Sequence, residues 1–424
     1  MLLVLCCISS AVAQKTIHIP TDQLTIQAGI NAASTGDTVL VAPGIYHENI
    51  DFKGKAITVT SSAGPSTTTI DGGGTDATVT FQSRELRSSV ISNLTIRNGG
   101  NAANTQGYSG GGIYVSNAAP SILNNVITAN INHAIQVEFG AALIQGNELS
   151  DTLGTGYTFF DGSAVILSGN SQISGSSNSI LIGNIIENNL HAHEYDGGGI
   201  GLWAVEGTVI QGNIIRNNAT TGTGGAIYSA NTDQMYIIDN LIYGNLASGG
   251  SLVSSGGISI LAPSESIGPF IGVIEGNTIA GNTILPGSSN ISGEAGEQMA
   301  LEGNLGQYIV VNNIIVGSSS SLPAVVCGTI YNYLSLTPLV FDHNDIYNAK
   351  GASYGGACPD QTGSFGNISA DPGFSIPGTD YTLRAGSPAI DAGNNSAPQM
   401  PTTDLAGSHR IQDATAKGYP VVDL

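Results

Sequence analysis

Charged residues are scarce in this chain, and cations are the scarcest. Only 10 % of the 424 residues are charged, with 11 Lys and Arg against 31 Asp and Glu, which gives a formal net charge of −20. No Lys occurs between Lys55 and Lys350. A protein that binds phosphates needs a basic track, so the composition excludes a nucleic-acid partner. It also opposes binding of a polyanionic sugar unless a divalent cation bridges the two.

Long apolar runs and a helix-forming composition are missing as well. No apolar run beyond the first residues is long enough to cross a bilayer, so we expect no membrane span. The chain has one Trp and 4 Met but 58 Gly, and it is rich in Asn, Ser, Thr, Ile and Val. These residue types favour strands and turns. The composition therefore predicts an all-β fold.

A short phrase recurs through most of the chain. It consists of an apolar residue, two variable residues, an Asn, one variable residue and an aliphatic residue. A second Asn often follows five residues after the first, and Gly-Gly pairs that suit sharp corners precede several repeats. The first Asn of each phrase, called the anchor here, occurs at Asn93, Asn125, Asn147, Asn184, Asn213, Asn240, Asn277, Asn313 and Asn344.

The spacing of the anchors indicates stacked coils. It is irregular, whereas helical repeats hold their length more strictly. Coils that stack about 4.8 Å apart would align the aliphatic residues in a narrow core and the Asn side chains in ladders at the turns. The sequence therefore predicts a right-handed single-stranded parallel β-helix, which is a solenoid. Because solenoids grow in one dimension, 424 residues are compatible with a single domain.

Both ends of such a solenoid need a cover, because open strand edges invite pairing with other chains. Ile26 and Ile30 fall on one face of a short predicted cap helix within residues 25–34. Strands follow at 38–42 and 56–60. We expect the solenoid, with its N-terminal cap, to occupy residues 14–370. Residues 371–424 are rich in Gly, Pro and Ser and are expected to form an irregular C-terminal cap.

The first residues and the cysteines indicate export. Residues 1–13 contain an apolar stretch followed by Ala11-Val12-Ala13, which is typical of a signal-peptide cleavage site. We therefore expect a secreted protein, extracellular or periplasmic. Outside this segment only Cys327 and Cys358 remain, 31 residues apart and so about one coil. An oxidising compartment favours a disulfide between them, and two free buried thiols are the alternative.

Two further segments give the chain a family resemblance. Residues 27–46, from Gln27-Ala28-Gly29 to Gly44-Ile45-Tyr46, resemble the N-terminal coil of the pectin-lyase-like superfamily. The segments 371–374, Asp-Pro-Gly-Phe, and 387–393, Ser-Pro-Ala-Ile-Asp-Ala-Gly, resemble the C-terminal part of secreted bacterial β-helix proteins in it. The resemblance implies a parallel β-helix and export. The superfamily includes polysaccharide lyases, hydrolases, methylesterases, epimerases and non-catalytic surface proteins.

The motifs of two of these classes are incomplete here. Asn231-Thr232-Asp233 matches the first polygalacturonase element, but its Asp pair, Gly-His and Arg-x-Lys elements are absent. Residues 150–153, Ser-Asp-Thr-Leu, resemble a methylesterase element, but Ser150 replaces its Gln. Thr158 stands where the second catalytic Asp is expected. The resemblance therefore indicates a fold and a compartment more than an activity.

One stretch concentrates the groups that sugar chemistry needs. Elimination needs a base and a cation at the uronate carboxylate, and hydrolysis needs two carboxylates. We interpret His193 or Arg216 as the base and Glu194 and Asp196 as acids or as calcium ligands. Tyr195, Trp203 and Glu206 are interpreted as substrate-binding residues. The alternative is a solvated loop, with Glu187 and Arg216 forming an exposed pair on adjacent coils.

Two functions follow from these observations. The first is binding of an extracellular polysaccharide or cell-surface glycan, with cleavage or modification of lyase, epimerase or hydrolase type left open. The net charge of −20 favours neutral glycans or calcium-bridged uronates, so calcium is the one cofactor considered. The second is a non-catalytic surface or adhesion protein that uses the solenoid as a rigid scaffold. The sequence leaves enzyme status and oligomeric state open.

His133 and Glu138, on a strand-like segment, are interpreted as solvent-facing residues.

Overall fold

Parallel strands make up almost all of the regular structure in the described residues of the chain. The computed structural model describes residues 13–100, 111–154, 164–169, 178–191, 197–232, 234–249, 254–261, 272–285, 295–302, 308–319, 321–328, 339–412 and 420–424. Residues 1–12 of the predicted signal peptide lie outside these ranges. Within them there is one α-helix, Ile26–Ala32 (α1), and no helix has the length and apolarity to cross a membrane.

Each complete coil contributes one strand to each of three long parallel sheets, and the central coils add a short strand to a fourth. Sheet A comprises Thr16–Ile19, Thr38–Val41, Thr58–Ser61, Val90–Ser92, Ser121–Leu123, Leu143–Gln145, Ile180–Ile182, Val209–Gln211, Tyr236–Ile238, Gly272–Glu275, Tyr308–Val311 and Val340–Asp342. Sheet B comprises Gly44–His47, Thr68–Asp71, Thr95–Arg97, Val126–Thr128, Glu148–Ser150, Ile185–Glu187, Ile214–Arg216, Leu241–Tyr243, Thr278–Ala280, Ile314–Gly317 and Asp345–Asn348.

The other two sheets complete the coil before the chain returns to sheet A. Sheet C comprises Ile50–Asp51, Val79–Phe81, Ile113–Ser116, Ile135–Glu138, Val165–Ser168, Ile200–Trp203, Ile227–Ala230, Ile258–Leu261, Met299–Glu302, Val325–Cys327 and Tyr354–Gly356. Sheet D, at the corner between B and C, comprises Leu153–Gly154, Leu190–His191, Ala219–Thr220, Leu246–Ala247 and Thr283–Ile284. The predicted parallel β-helix is confirmed by this strand order.

A narrow aliphatic core runs along the axis of the solenoid. Successive coils pair in register, so residues of one type stack in columns; Ile186 pairs with Ile215, and Ile215 pairs with Ile242. All three side chains are fully buried. Each fully buried aliphatic side chain contributes about 1.5 to 3 kcal/mol relative to an exposed one. The columns therefore supply most of the energy that holds the coils together.

Asn side chains form two ladders at the turns that enter and leave sheet B. In the first ladder, Asn213 donates from both its backbone N and Nδ2 to Oδ1 of Asn240, at 2.9 Å each. The same two bonds link Asn184 to Asn213. The second ladder includes Asn189, Asn218 and Asn245. The ladders satisfy backbone groups that would otherwise be buried without partners at each turn.

The first coil of the repeat differs from the sequence interpretation by one residue. Leu94, not Asn93, occupies the ladder position, because its backbone N donates to Oδ1 of Asn125. Asn93 is the preceding corner residue, with a φ of 56° in the left-handed region where Asn is tolerated. Asn98 likewise precedes the second-ladder position, which Gly99 occupies. The shift explains why Thr95 breaks the aliphatic column that Ile96 continues.

The cap helix α1 confirms the prediction for the N-terminal end, and charged side chains hold both of its ends. Ile26 and Ile30 are fully buried against the first coil. The Glu48 carboxylate accepts hydrogen bonds from the backbone N atoms of Ile26 and Gln27, at 2.9 Å each. The Lys55 Nζ donates to the backbone O atoms of Ile30, Asn31 and Ala33 at 2.7, 2.8 and 2.7 Å. These charges match the polarity of the helix ends.

The C-terminal end of the solenoid is closed by residues before position 371. Gln361 bonds to the backbone of the last sheet A strand, and Asn367 accepts from the backbone N of Asn344 as the last rung of the first ladder. The predicted disulfide between Cys327 and Cys358 is confirmed, with the two Cα atoms 5.0 Å apart. It links the second-to-last strand of sheet C to the chain that follows the last strand.

The segment 371–424, expected as a cap, lies along the flank of the solenoid. It contains two hairpins, Phe374–Ile376 with Asp380–Leu383 and Ile411–Gln412 with Val421–Val422. Its Arg410 is paired with Asp239, and its Gln399 backbone N donates to Glu275 at 2.9 Å. Both carboxylates belong to coils well before the last one. The segment therefore covers the corner between sheets A and B over several coils.

Candidate functional site

The longest connections of the coil lie on the two sides of sheet C. In the central coils only two residues separate a sheet A strand from the sheet B strand that follows, as between Ile180–Ile182 and Ile185–Glu187. The connection from Val165–Ser168 of sheet C to sheet A has eleven residues, 169–179. Long loops on a rigid scaffold are where binding residues concentrate. The outer face of sheet C is therefore the candidate binding face.

A row of partly exposed side chains runs along this face. Ser116, Glu138, Ser168 and Trp203 occupy equivalent, outward-facing positions on four successive strands of sheet C. Each strand adds about 4.8 Å, so the Glu138 and Trp203 positions lie about 10 Å apart. We call these four residues the sheet C row. Its length is suited to contacts with several sugar units.

Glu138 is the centre of a hydrogen-bonded cluster in this row. Its Oε2 accepts from the Tyr114 hydroxyl at 2.8 Å, and its Oε1 accepts from the Gln136 Nε2 at 2.9 Å. Burial, followed by the hydrogen bond to Glu138, raises the pKa of Tyr114 to about 12. Tyr114 therefore stays protonated at neutral pH and acts as a donor. The cluster holds a carboxylate, a phenol and an amide in fixed positions.

The neighbouring outward column of sheet C is covered. It includes Gln136, Ile166 and Tyr228, which face away from the core but are each only 3 % exposed. Side chains that face outwards are buried only when other parts of the molecule lie over them. The sheet C row is thus a partly exposed strip beside a covered strip.

The structure places the predicted site residues on two different faces. Trp203 is part of the sheet C row, and Glu206 lies just after it, on the way to sheet A. His193, Glu194, Tyr195 and Asp196 lie outside the described residues, in the connection 192–196 that precedes the strand Ile200–Trp203. Arg216 faces outwards from sheet B. The structure therefore does not bring Arg216 together with Trp203.

Arg216 instead forms a polar contact across three coils of sheet B. Its Nε donates to the Glu187 Oε2 at 2.5 Å, and its Nη1 donates to the Tyr243 hydroxyl at 3.0 Å. The predicted proximity of Glu187 and Arg216 is confirmed. The hydrogen bonds to Tyr243 and Glu187 raise the pKa of Arg216 above its ordinary value. A group held in its charged form in this way is poorly suited to the base role predicted from the sequence.

The described residues offer little for a metal. No group of three or more His, Cys, Asp or Glu side chains in the described part of the chain is arranged to hold a metal ion. Glu194 and Asp196, the predicted calcium ligands, lie outside that part. Calcium binding therefore stays a prediction.

The sequence analysis did not single out the Glu138 cluster and interpreted Glu138 as solvent-facing. The nearest sequence signal is the Gly-Gly phrase, which comes just before Tyr114. The phrase marks the start of sheet C strands, where small residues are required: a Cβ on Gly225 would lie 2.1 Å from the backbone O of Gly256. The strand register places Tyr114 and Tyr228 in one column, whereas alignment on the Gly-Gly pairs alone would match Tyr114 with Ile227.

Comparison with known proteins gives matches at the level of fold. Neither a protein-family profile nor a curated protein matches this chain. Among solved structures, pectate lyase Pel9A is 12 % identical, with 93 % of this chain and 96 % of that chain covered and a TM-score of 0.47. XylC in complex with xylose is 11 % identical, with 83 % and 84 % covered and a TM-score of 0.46.

A third solved structure of similar likeness is PfbA, a surface adhesin of Streptococcus pneumoniae. It is 13 % identical, with 78 % of this chain and 86 % of that chain covered and a TM-score of 0.44. The parallel β-helix that the sequence resemblance implied is confirmed by the stacked parallel sheets of this chain.

Proposed function

We propose that this protein is exported and binds an extracellular polysaccharide along the outer face of sheet C. The observation that carries the proposal is the sheet C row, which places Glu138 and Trp203 in one outward column with Tyr114 and Gln136 bonded to Glu138. The disulfide between Cys327 and Cys358 supports export, because disulfides persist in oxidising compartments.

The chemistry of the sheet C row suits a sugar chain. The Trp203 indole offers an apolar face for the C–H surface of a sugar ring, with a polar N–H at its edge. The carboxylate and amide of the cluster can accept and donate hydrogen bonds to hydroxyl groups. All of these side chains stand on paired strands and not on loops, so little ordering is needed on binding.

Catalysis is a further proposal, and it rests on the connection 192–196. We keep His193 as the base, and Glu194 and Asp196 as acids or calcium ligands, with Tyr195 beside them as a sugar contact. In the sequence these residues come shortly before the strand that carries Trp203. Arg216 is not included, because it belongs to sheet B and is bonded to Glu187 and Tyr243.

A non-catalytic adhesion role is the second candidate, and the spacing of carboxylates favours it. The strands of sheet C carry Asp51, Glu138 and Glu302 facing outwards. Any two of them are at least three strand spacings apart, which is about 14 Å. Hydrolysis needs two carboxyl groups separated by roughly 5 to 9.5 Å. The described strands of sheet C therefore supply a binding face without a hydrolytic pair.

The test is a glycan-binding panel on the exported protein, with Trp203→Ala and Glu138→Gln as site variants. Arg216→Ala, on sheet B, is the matched control. We expect a loss of binding of tenfold or more for Trp203→Ala and none for the control, since one aromatic contact contributes about 1 to 3 kcal/mol. Equal binding by all variants would contradict the proposed face.

Products separate the catalytic from the adhesive role. The bound glycans are incubated with the wild type and with a Glu194→Ala/Asp196→Ala variant, and new reducing ends and unsaturated sugar ends are measured. Turnover that disappears in the variant would establish an enzyme with its site in the connection 192–196. Binding without products on every bound glycan would establish the adhesive role.

A further inference from the structure

We infer that the sheet C face takes an uncharged polysaccharide and rejects uronates. This inference rests on the proposed function and names the class of ligand for the same site. It follows from where the few cationic side chains of the chain lie relative to the sheets.

The sheet C strands that form the sheet C row, and the connections beside them, contain no Lys or Arg. Between Arg97 and Lys350 the sequence contains one Lys or Arg, which is Arg216. Both Arg97 and Arg216 stand on sheet B strands, and Arg216 is bonded to Glu187. The sheet C strands from Ile113–Ser116 to Val325–Cys327 therefore offer no cationic Lys or Arg side chain to a carboxylate on a bound sugar.

The charges beside the sheet C row are negative. Glu138 stands in the row, Glu206 follows the strand of Trp203, and both are partly exposed. A uronate bound along the row would therefore lose hydration beside carboxylates of like charge, which raises the free energy of binding.

A bridging cation is the usual way around such repulsion; Glu194 and Asp196, proposed above as acids or calcium ligands, lie outside the described residues, and the comparison with calcium and with EDTA below tests that route directly. The described residues contain no group of three or more His, Cys, Asp or Glu arranged around a common point. The groups that Glu138, Tyr114, Gln136 and Trp203 present are a carboxylate, a phenol, an amide and an indole. These groups suit hydroxyl groups and ring faces, which uncharged sugars offer.

The sharpest test compares one polymer in two charge states. Oligogalacturonate and its fully methyl-esterified form share the same sugar and linkage and differ in the carboxylate charge. A panel of uncharged and uronate oligosaccharides, each with calcium and with EDTA, extends the comparison. We expect every bound glycan to be uncharged, with the methyl ester preferred over the acid by tenfold or more. The preference should shrink at high salt, because salt screens exposed charges.

A gain of function can be tested at Ser168, which lies between Glu138 and Trp203 in the sheet C row. Ser168→Lys adds a cation beside Glu138 and should improve binding of the uronate oligosaccharide at least fivefold while leaving the ester unchanged or weaker. Thr128→Lys is the matched control, because Thr128 is a partly exposed hydroxyl residue in the outward column of sheet B. It changes the net charge equally without changing the site.

The outcomes distinguish this inference from the proposed function. If the wild type binds the uronate as tightly as the ester, and the Trp203→Ala variant binds neither, the inference is overturned and the proposed function is kept. Uronate binding that appears only with calcium would overturn it in the same way. If no glycan binds, or if Trp203→Ala binds every glycan as the wild type does, the proposed function fails and the inference fails with it.

Discussion

The guanidinium of Arg216 donates a hydrogen bond to the Glu187 carboxylate at 2.5 Å, although 29 residues separate the two in the sequence. The contact exists because each is the last residue of its sheet B strand, and the strands pair in register. It also decides what Arg216 does. A cation in contact with Glu187 and Tyr243 on sheet B is a link between coils and takes no part in the sheet C row.

Arg216→Met should therefore leave glycan binding unchanged and cost little stability. The Arg216 side chain is 35 % exposed, and exposed ion pairs contribute about 0.2 to 1 kcal/mol. Thermal unfolding and glycan binding measure the two effects separately. A loss of binding without a loss of folding would show that Arg216 reaches the ligand, contrary to its placement.

Asn213→Ala should destabilise the solenoid strongly. The Asn213 side chain is fully buried, and its Oδ1 accepts from both the backbone N and the Nδ2 of Asn184. Its loss leaves the two buried Asn184 donors without an acceptor and removes the Nδ2 donor to the Asn240 Oδ1, at a cost of about 3 kcal/mol or more. Denaturant unfolding measures the loss in the free energy of unfolding. Asn178→Ala is the control, because Asn178 is exposed and lies before a sheet A strand. It should change the free energy of unfolding by less than about 0.5 kcal/mol.

Lys55→Met should loosen the N-terminal cap without affecting the central coils. The substitution removes three hydrogen bonds to the last turn of α1 and the charge at its C-terminal end, at a cost of about 1 to 2 kcal/mol. Hydrogen exchange of residues 16–41 should accelerate, while exchange in the coils around Asn213 stays slow. Lys53→Met is the matched control, because the exposed Lys53 Nζ bonds only to the Asn31 side chain at 3.0 Å. Equal effects of the two variants would contradict the capping role.

Glu275 should make the protein less stable as the pH rises towards neutrality. Glu275 is 1 % exposed, and burial raises its pKa from 4.5 to about 7. The hydrogen bond that the Gln399 backbone N donates to the carboxylate lowers the pKa, but burial has the larger effect. The folded state therefore holds the proton more tightly than the unfolded state. The stabilisation is complete below the unfolded pKa and is lost as the pH rises through the folded pKa, by at most about 3 kcal/mol.

Unfolding free energies at several pH values between about 4 and 8 test this sign. Glu275→Gln should remove only part of the decline, because Asp345, whose burial raises its pKa from 3.8 to about 6, should contribute a comparable part. Glu148→Gln, at an exposed position of sheet B, should leave the profile unchanged. A stability that instead increases through this range in the wild type would show that the Glu275 carboxylate is stabilised in its charged form.

The sequence by itself determined the architecture. Columns such as Ile186, Ile215 and Ile242 can be recognised because a solenoid buries the same position in every coil, and one narrow core accepts only aliphatic residues there. The Asn anchors were visible for the same reason, since each turn leaves the same backbone groups to satisfy. The pairing of Cys327 with Cys358 followed from their separation by about one coil. The scarcity of cations in these coils was also readable directly from the sequence.

Only the tertiary structure decided which residues share a face. Trp203 and Arg216 are close in the sequence but face outwards from sheets C and B, because an entire sheet A strand and a turn lie between them. Glu138 and Trp203 are far apart in the sequence but share one column, because the connections around sheet C differ in length while the strand register is preserved. The off-by-one position of Asn93 has the same origin: a corner Asn and a ladder Asn differ in their backbone conformation, and residue type alone does not distinguish them.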